Sequence, residues 1–174
     1  FSTRFNFSAR ALKRDNLSLS QADFNPTFAG MTKVYLKKKI SRRIELGHPW
    51  VFANEVGKVE GPLEGGDIVD LVGHDGKFVG RGYANPKSQI LVRLLTRNKA
   101  EQINEDFFYQ KINTAWQYRQ KLGYLENCRL VFGEADFLPA LIIDKFNDYF
   151  VLQTLALGID RWKPAIVAAL EKIF

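Results

Sequence analysis

The sequence predicts an α+β protein in which a small β-barrel is followed by a second domain of strands and helices. Three observations predict this fold class. Short apolar segments separated by glycine turns recur between residues 31 and 100, a pattern typical of a closed or nearly closed barrel. An apolar period near 3.6 residues begins after residue 104. The chain is 46% hydrophobic and 25% charged, the balance of an ordinary globular protein.

The composition limits the partners and the compartment. A net charge of +6 favours an anionic partner, because the summed field of lysines and arginines attracts phosphates. The single cysteine, Cys128, cannot form an intramolecular disulfide, so we expect a cytoplasmic protein. Two histidines are too few for a zinc site, and we expect no metal. No segment approaches the ~18 apolar residues of a membrane span, so no membrane partner is expected.

Residues 1–30 have no apolar period, and we expect them to be a disordered tail or an extension. The first fourteen residues carry four cations and no acid, which resembles an organellar transit peptide. Met31 opens the first regularly patterned segment, and this favours a native chain that starts there.

Residues 31–100 are assigned to the barrel. Val34 and Leu36, followed by Ile40 and Ile44, predict a strand that runs into one short helical turn, which Gly47 ends. Further strands are predicted at residues 50–52, 68–72, 77–79 and 90–95. The Asp75-Gly76 pair predicts a hairpin between the second and third of these, because Asp-Gly supplies the positive φ of a tight turn.

Residues 101–174 are assigned to the second domain. Asn104 can cap a helix that ends at Gly123, and its apolar face consists of Phe107, Phe108, Ile112, Ala115, Trp116 and Leu122. Strands are predicted at residues 129–132, 141–143 and 149–154. A last helix starts near Pro164 and is still running at Phe174, so we expect this domain to be incomplete at its C-terminus.

The strongest functional signal is a basic segment, in which Lys37-Lys38-Lys39 is followed by Arg42-Arg43. Such a segment can follow a phosphate backbone, because each neutralised phosphate releases counterions. The alternative is a solvated basic edge, since lysines on edge strands also prevent aggregation.

Aromatic residues lie near these cations, and unpaired bases stack on such rings with ~1–3 kcal/mol each. Trp50 and Phe52 alternate within one strand, so we expect one face of that strand in the core and Tyr83, rather than Phe52, exposed. His48 can stack on a base or donate to a phosphate, although a histidine before proline is also a common turn residue. The candidate RNA-binding residues are Lys37, Lys39, Arg42, Arg43, His48, Trp50, Arg81, Tyr83 and Lys87.

No residue is assigned to catalysis or to cofactor binding. The Gly80-Arg81-Gly82 segment opens no helix, so it is no dinucleotide loop. Cys128 has no evident histidine partner, and we expect a buried free thiol. Asp136 and Asp144 have the spacing of turn residues that bound strands rather than of an acid–base pair.

Two ordered sets of motifs resemble a known family. Gly66-Asp67-Ile68-Val69 together with Gly76–Gly82 resembles the core of the PUA domain, an RNA-binding barrel. The segments Gly47–Phe52 and Tyr83–Arg93 resemble, more narrowly, the N-terminal PUA domain of bacterial SAM-dependent large-subunit rRNA cytosine-C5 methyltransferases. The segment Glu134–Asp144 is similar to the central domain of that family, although Ala140 stands where the family has glycine.

The resemblance implies an N-terminal fragment that docks structured rRNA for a catalytic domain expected after Phe174. The parent would use S-adenosylmethionine and a nucleophilic cysteine, which Cys128 does not match. The fragment itself is expected to be inactive and to hold no cofactor. The alternatives are a PUA module of another RNA-modifying enzyme, or a stand-alone interaction module that forms a homodimer.

Overall fold

The computed structural model describes residues 8–13 and 31–174, which form two compact units. The barrel unit consists of residues 31–103. The sheet-and-helix unit consists of strand β1 (Ser8–Lys13) and residues 104–174. The division after Ile103 lies three residues beyond the predicted boundary.

One six-stranded sheet dominates the barrel unit. Its elements are β2 (Thr32–Leu36), α1 (Arg42–Glu45), β3 (Trp50–Phe52), β4 (Val56–Glu60), β5 (Ile68–Val72), β6 (Phe78–Ala84) and β7 (Ile90–Thr96). The strand order is β3-β7-β6-β5-β2-β4, and only β2 and β5 pair in parallel. The edge strands β3 and β4 are joined by the 3₁₀ turn Ala53–Glu55 alone, so the sheet must curl until its two edges are near each other. This confirms the predicted α+β class with a barrel-like curled sheet.

The core of the barrel unit follows the period of two that strands impose. Val34 and Leu36 of β2, Val69 and Leu71 of β5, and Val92 and Leu94 of β7 are all buried in one cluster. Ile44 is the buried residue of α1, so this single helical turn is anchored in the same cluster. The helix thereby fixes the backbone of Arg42 and Arg43, which lie within it.

The sheet-and-helix unit is built on a four-stranded antiparallel sheet. Its other elements are α2 (Glu105–Lys121), β8 (Asn127–Phe132), β9 (Leu141–Phe146), β10 (Tyr149–Thr154), α3 (Leu157–Arg161) and α4 (Lys163–Ile173). The strand order is β1-β10-β9-β8. As predicted, Asn104 caps α2, since its Oδ1 accepts a hydrogen bond of 2.9 Å from the backbone N–H of Phe107. Phe108 of α2 packs on Trp162 with ring centroids 5.0 Å apart.

The expectation that residues 1–30 form a disordered tail is wrong for Ser8–Lys13, which form strand β1. Ser8–Lys13 pair with β10 over six residues, from Ser8 opposite Thr154 to Lys13 opposite Tyr149. The pairing occupies the backbone groups that β10 would otherwise present as an open edge. Backbone pairing needs no apolar alternation, which is why the sequence pattern did not reveal it. The remainder of the predicted tail lies outside the described residues.

Strand β4 was also missed by the sequence pattern. It lies at the edge of the barrel sheet, and only Val56 is partly buried while the other four residues are exposed. A strand without a buried face lacks the alternation on which a strand prediction depends.

Among the helices of residues 31–174, none combines the length and the apolar character that crossing a membrane requires.

Candidate nucleic-acid interface

The excess positive charge belongs to the barrel unit. Residues 31–103 contain 13 lysines and arginines and 8 acidic residues, a net charge of +5. Residues 104–174 contain 8 and 9, a net charge of −1. The attraction for phosphates that the whole-chain charge indicates is therefore concentrated on one unit.

A cleft of about 250 Å³ lies where the basic segment meets the 3₁₀ turn. It is lined by Leu36, Lys37, Lys38, Lys39, Ser41, Ile44, Asn54 and Glu55. The backbone N–H of Lys37 donates to the carbonyl of Glu55 at 2.9 Å, which fixes the basic segment against the turn. The three lysines are exposed, as is Arg42, and none of the four forms an ion pair with another described residue. These cations are available for phosphate.

Lys58, on the edge strand β4, already forms an ion pair within the protein. Its ammonium binds the Glu60 carboxylate, which also accepts a hydrogen bond of 2.7 Å from the Tyr35 hydroxyl. These bonds to Glu60 raise the pKa of Lys58 and the pKa of Tyr35, and the bond from Lys58 lowers the pKa of Glu60. The basic surface therefore rests on Lys37–Lys39 and Arg42 rather than on this pair.

Arg43 is directed into the barrel unit, unlike Arg42. Its Nη2 lies 2.9 Å from Glu55 Oε2, its Nη1 donates to the Trp50 carbonyl at 2.6 Å, and its guanidinium lies 5.0 Å from the centre of the Phe52 ring. Glu55 also accepts from the Phe52 backbone N–H at 2.8 Å. This side chain joins α1 to β3 and is paired with Glu55, and the predicted phosphate contact by Arg43 stays a prediction.

His48 and Trp50 are half-buried beside this ion pair. The rings meet edge to face, with centroids 5.2 Å apart. His48 Nδ1 lies 3.2 Å from the Trp50 backbone nitrogen and 3.0 Å from Arg43 Nη1. Because the amide N–H can only donate, Nδ1 must accept, and the ring proton of neutral His48 lies on Nε2. His48 is thus a turn residue that keeps one ring donor for a ligand.

Arg81 and Tyr83 are buried, contrary to the prediction that they contact RNA. Tyr83 is 1% exposed and cannot stack on a base. Arg81 donates to Asp70 at 2.7 Å and to the Glu101 carbonyl at 2.9 Å. Both residues lie on β6, two positions apart, so their side chains are on the same face of the sheet.

Lys87 is exposed on the turn between β6 and β7. Asn85 shapes this turn, because its Oδ1 accepts from the Lys87 backbone N–H at 3.1 Å. The Gln89 carbonyl accepts from the Ala53 N–H at 2.8 Å, next to the cleft residue Asn54. The turn that carries Lys87 is therefore joined to the 3₁₀ turn that borders the cleft.

Arg93 is a candidate that the sequence reasoning did not select. It lies half-buried on β7, with Trp50 as its register partner on β3 and Tyr83 as its register partner on β6. Its Nε is buried and has no hydrogen-bond partner among the residues that the structure describes. A single cation inside the apolar strand Ile90–Thr96 was the signal in the sequence.

The structure gives the other polar motifs structural roles. Asp136 receives two hydrogen bonds from Arg119, at 2.7 and 2.6 Å, and Asp144 receives two from Arg129. Gly80-Arg81-Gly82 lies within β6, packed against β7, so it does not form a glycine loop that fits S-adenosylmethionine. Over residues 8–13 and 31–174, no group of three or more His, Cys, Asp or Glu side chains could hold a metal ion.

Comparison with known sequences identifies the barrel unit. Residues 34–97 match the model of the PUA-like domain. The chain is 36% identical over 151 residues to the ribosomal RNA large subunit methyltransferase I of Salmonella schwarzengrund, and 38% identical over 141 residues to that of Klebsiella pneumoniae. These matches cover 85% and 79% of this chain. They cover only 38% and 34% of the two relatives, so the chain spans little more than a third of their length.

Solved structures agree in fold. A Streptococcus mutans protein assigned as a SAM-dependent methyltransferase superposes with a TM-score of 0.68 at 18% identity, over 82% of this chain and 38% of that one. A second structure, of an assigned methyltransferase complexed with SAH, gives a TM-score of 0.64 at 17% identity, over 81% and 36%. The chain therefore carries a PUA-like domain at residues 34–97 and is homologous to part of the ribosomal RNA large subunit methyltransferase I proteins.

Proposed function

We propose that this chain binds structured ribosomal RNA through the cleft lined by Lys37–Lys39, and thereby docks the RNA for methylation. The observation that carries the proposal is the group of four exposed cations, Lys37, Lys38, Lys39 and Arg42, none of which forms an ion pair within residues 31–174. The relatives act, by their name, on ribosomal RNA of the large subunit. Free cations on a rigid turn are the arrangement that phosphate binding requires.

The cleft is suited to an RNA backbone rather than to a small ligand. Its volume of about 250 Å³ is small for a ligand pocket, and three lysine side chains border it. Ser41 and Asn54 add neutral hydrogen-bonding groups. The segment that carries the lysines is fixed at one end by Leu36 and at the other by Ile44, both buried in the core. The phosphate-binding groups therefore have a preorganised base, and only their side chains must be ordered by RNA.

The salt dependence of binding tests this proposal. We expect the log of the association constant to fall linearly with the log of the salt concentration, because phosphate binding releases counterions. Replacing Lys37, Lys39 and Arg42 with alanine should lower the magnitude of that slope by roughly 2, at about 0.7–0.9 for each phosphate contact. Titrations of an rRNA hairpin at four salt concentrations measure it. Arg43 is kept, since its loss would disturb the fold.

A matched triple variant separates the site from the overall charge. Lys77, Lys99 and Lys121 are exposed cations outside the cleft, and replacing them with alanine removes the same charge. This variant should keep most of the slope. Equal slopes for the two triple variants, or an unchanged isotherm for the cleft variant, would exclude the cleft as the RNA site. A folded hairpin should also compete better than random single-stranded RNA of equal length.

For the protein to which this chain belongs we propose SAM-dependent methylation of a cytosine at C5, as the family resemblance implies. The described residues serve this reaction by binding and orienting RNA. No glycine loop among them fits SAM, so no step of the transfer is assigned to these residues. Calorimetric titration of this chain with SAM should show no binding, and low-micromolar binding would contradict this division of roles.

Self-association is a second candidate function, favoured by Phe137. This side chain is 70% exposed, although its backbone φ of 60° lies in the left-handed region that non-glycine residues rarely adopt. Asp136, held by Arg119, fixes the turn that displays it. Sedimentation at rising protein concentration tests for a homodimer. If one forms there, Phe137→Ser should weaken it, while Tyr124→Ser, at another exposed aromatic residue, should not.

A further inference from the structure

We infer that Arg93, together with Trp50, binds an unpaired nucleobase of the RNA, separately from the phosphate contacts of the cleft. The base must present two adjacent hydrogen-bond acceptors, as guanine does with O6 and N7. This inference rests on the proposed RNA-binding function and adds to it a position that reads the RNA rather than only holding its backbone.

The first observation is the unsatisfied donor. Arg43, Arg81 and Arg97 of the barrel unit each donate to carboxylates or to backbone carbonyls. The Nε of Arg93 is buried, yet it has no acceptor among the described residues. Buried donors are nearly always hydrogen-bonded, and an exception points to a ligand that supplies the missing acceptor.

The second observation is the neighbourhood of Arg93. Trp50 lies directly opposite it in the pairing of β3 with β7, and residues opposed in this way have Cβ atoms ~4.5–5.5 Å apart. Trp50 is held by the edge-to-face contact with His48. A planar guanidinium and an indole ring on the same face of the sheet offer a base two kinds of contact. The guanidinium N–H groups bind the acceptor edge, and the ring stacks on the face.

The third observation connects this position to the cleft. Arg43 contacts the carbonyl of Trp50 with one nitrogen and Glu55, which lines the cleft, with another. One ion pair thus joins the cleft wall to the strand that carries Trp50. The inference takes one RNA to contact both places, with its backbone along Lys37–Lys39 and an unpaired base against Arg93.

Matched RNA hairpins test the inference without changing the protein. One hairpin carries guanines in its loop, a second carries adenines at the same positions, and a third carries 7-deazaguanines, which lack the N7 acceptor. The wild-type chain should prefer the guanine loop by roughly 5- to 150-fold, the range of a bidentate arginine contact. The deaza loop should lose most of that preference. Equal affinity for all three loops would overturn the inference.

Two substitutions assign the preference to Arg93. Arg93→Lys keeps the charge and removes the planar fork, so it should abolish the preference for guanine while the salt slope stays unchanged. Lys39→Ala should instead weaken all three hairpins alike and lower the slope. If Arg93→Lys keeps the preference, or if Arg93→Gln lowers the slope by about one, Arg93 does not read a base. Thermal melting of each variant verifies folding.

The outcomes also separate this inference from the proposed function. A wild-type chain that binds none of the hairpins would contradict both. A chain that binds every hairpin equally, with a salt slope that depends on Lys37, Lys39 and Arg42, would retain the phosphate cleft and exclude the base-reading role of Arg93.

Discussion

Arg42 and Arg43 are neighbours in the sequence, but the fold gives them opposite environments. Arg42 remains exposed, whereas Arg43 points inward to Glu55. Consecutive side chains of a helix are rotated by ~100° about the helix axis. A basic pair on α1 therefore cannot present both cations to one ligand. The basic segment predicted RNA contact from its composition alone, and composition cannot distinguish the two arginines.

Tyr83 and Arg81 show a second limit of sequence reasoning. The sequence predicts RNA contact for both residues and an exposed Tyr83, because aromatic residues lie near the cations. The fold instead places β6 in the middle of the sheet, where Arg81 finds Asp70 as its register partner. That pairing depends on residues that are eleven positions apart along the hairpin, and the pattern of β6 alone does not contain it.

Arg81 is expected to stabilise the barrel unit rather than to bind RNA. The side chains of Arg81 and Asp70 are only 10% and 13% exposed, so removing one partner leaves a largely buried, uncompensated charge. Arg81→Met should lower the free energy of unfolding by about 3 kcal/mol. Urea denaturation measures this loss. Lys87→Met, at an exposed site, should change stability by less than about 0.5 kcal/mol.

A double-mutant cycle identifies the partner. If the pair acts as the structure indicates, Asp70→Leu combined with Arg81→Met should cost clearly less than the sum of the two single variants. Additive losses would contradict the ion pair. A variant of normal stability with weakened RNA binding would restore Arg81 to the list of RNA-binding residues.

At the scale of the elements, the sequence predicted those segments that combine a buried face with an end signal. The helix between Asn104 and Gly123 had both, and α2 occupies it with a cap at Asn104 and a φ of 84° at Gly123. Strands β1 and β4 had neither a regular apolar face nor a distinctive turn. Their positions follow from backbone pairing with β10 and β2, which depends on distant parts of the chain.

Gly82 carries the closest approach between two strands. A Cβ atom built on it would lie 2.0 Å from the Arg93 carbonyl oxygen and 2.7 Å from Leu94 Cα. Backbone atoms cannot move aside as a flexible side chain can, so Gly82→Ala must separate β6 from β7. We expect this variant to lose more than about 3 kcal/mol or to remain unfolded, which circular dichroism melts would show.

Gly76 provides the control for this substitution. Its φ of 81° strains an alanine there, but an added Cβ would have no atom within 4 Å. Gly76→Ala should therefore cost only about 1–2 kcal/mol. Comparable losses at Gly76 and Gly82 would mean that strand contact is not what requires glycine in β6.

At the scale of the whole molecule, the positive charge and the apolar core both divide at the boundary between the two units. The barrel unit holds the net charge of +5 and its own apolar cluster, from Val34 to Leu94. Residues 104–174 have a net charge of −1, and their unit uses β1 to complete its sheet. This division supports the proposal that the barrel unit carries the RNA affinity, and the composition of the whole chain does not contain it.

Residues 31–103 are expected to fold and to bind RNA on their own. All six strands of their sheet lie within this segment, so cutting after Ile103 removes no strand pairing. At this length a single core is only moderately stable, so a lower melting temperature than that of the whole chain is expected. RNA titrations should nevertheless give an affinity within about threefold of the whole chain and the same salt slope, because the exposed cations of the cleft are retained. A segment that melts cooperatively but binds RNA more than tenfold more weakly would show that the sheet-and-helix unit also contacts the RNA.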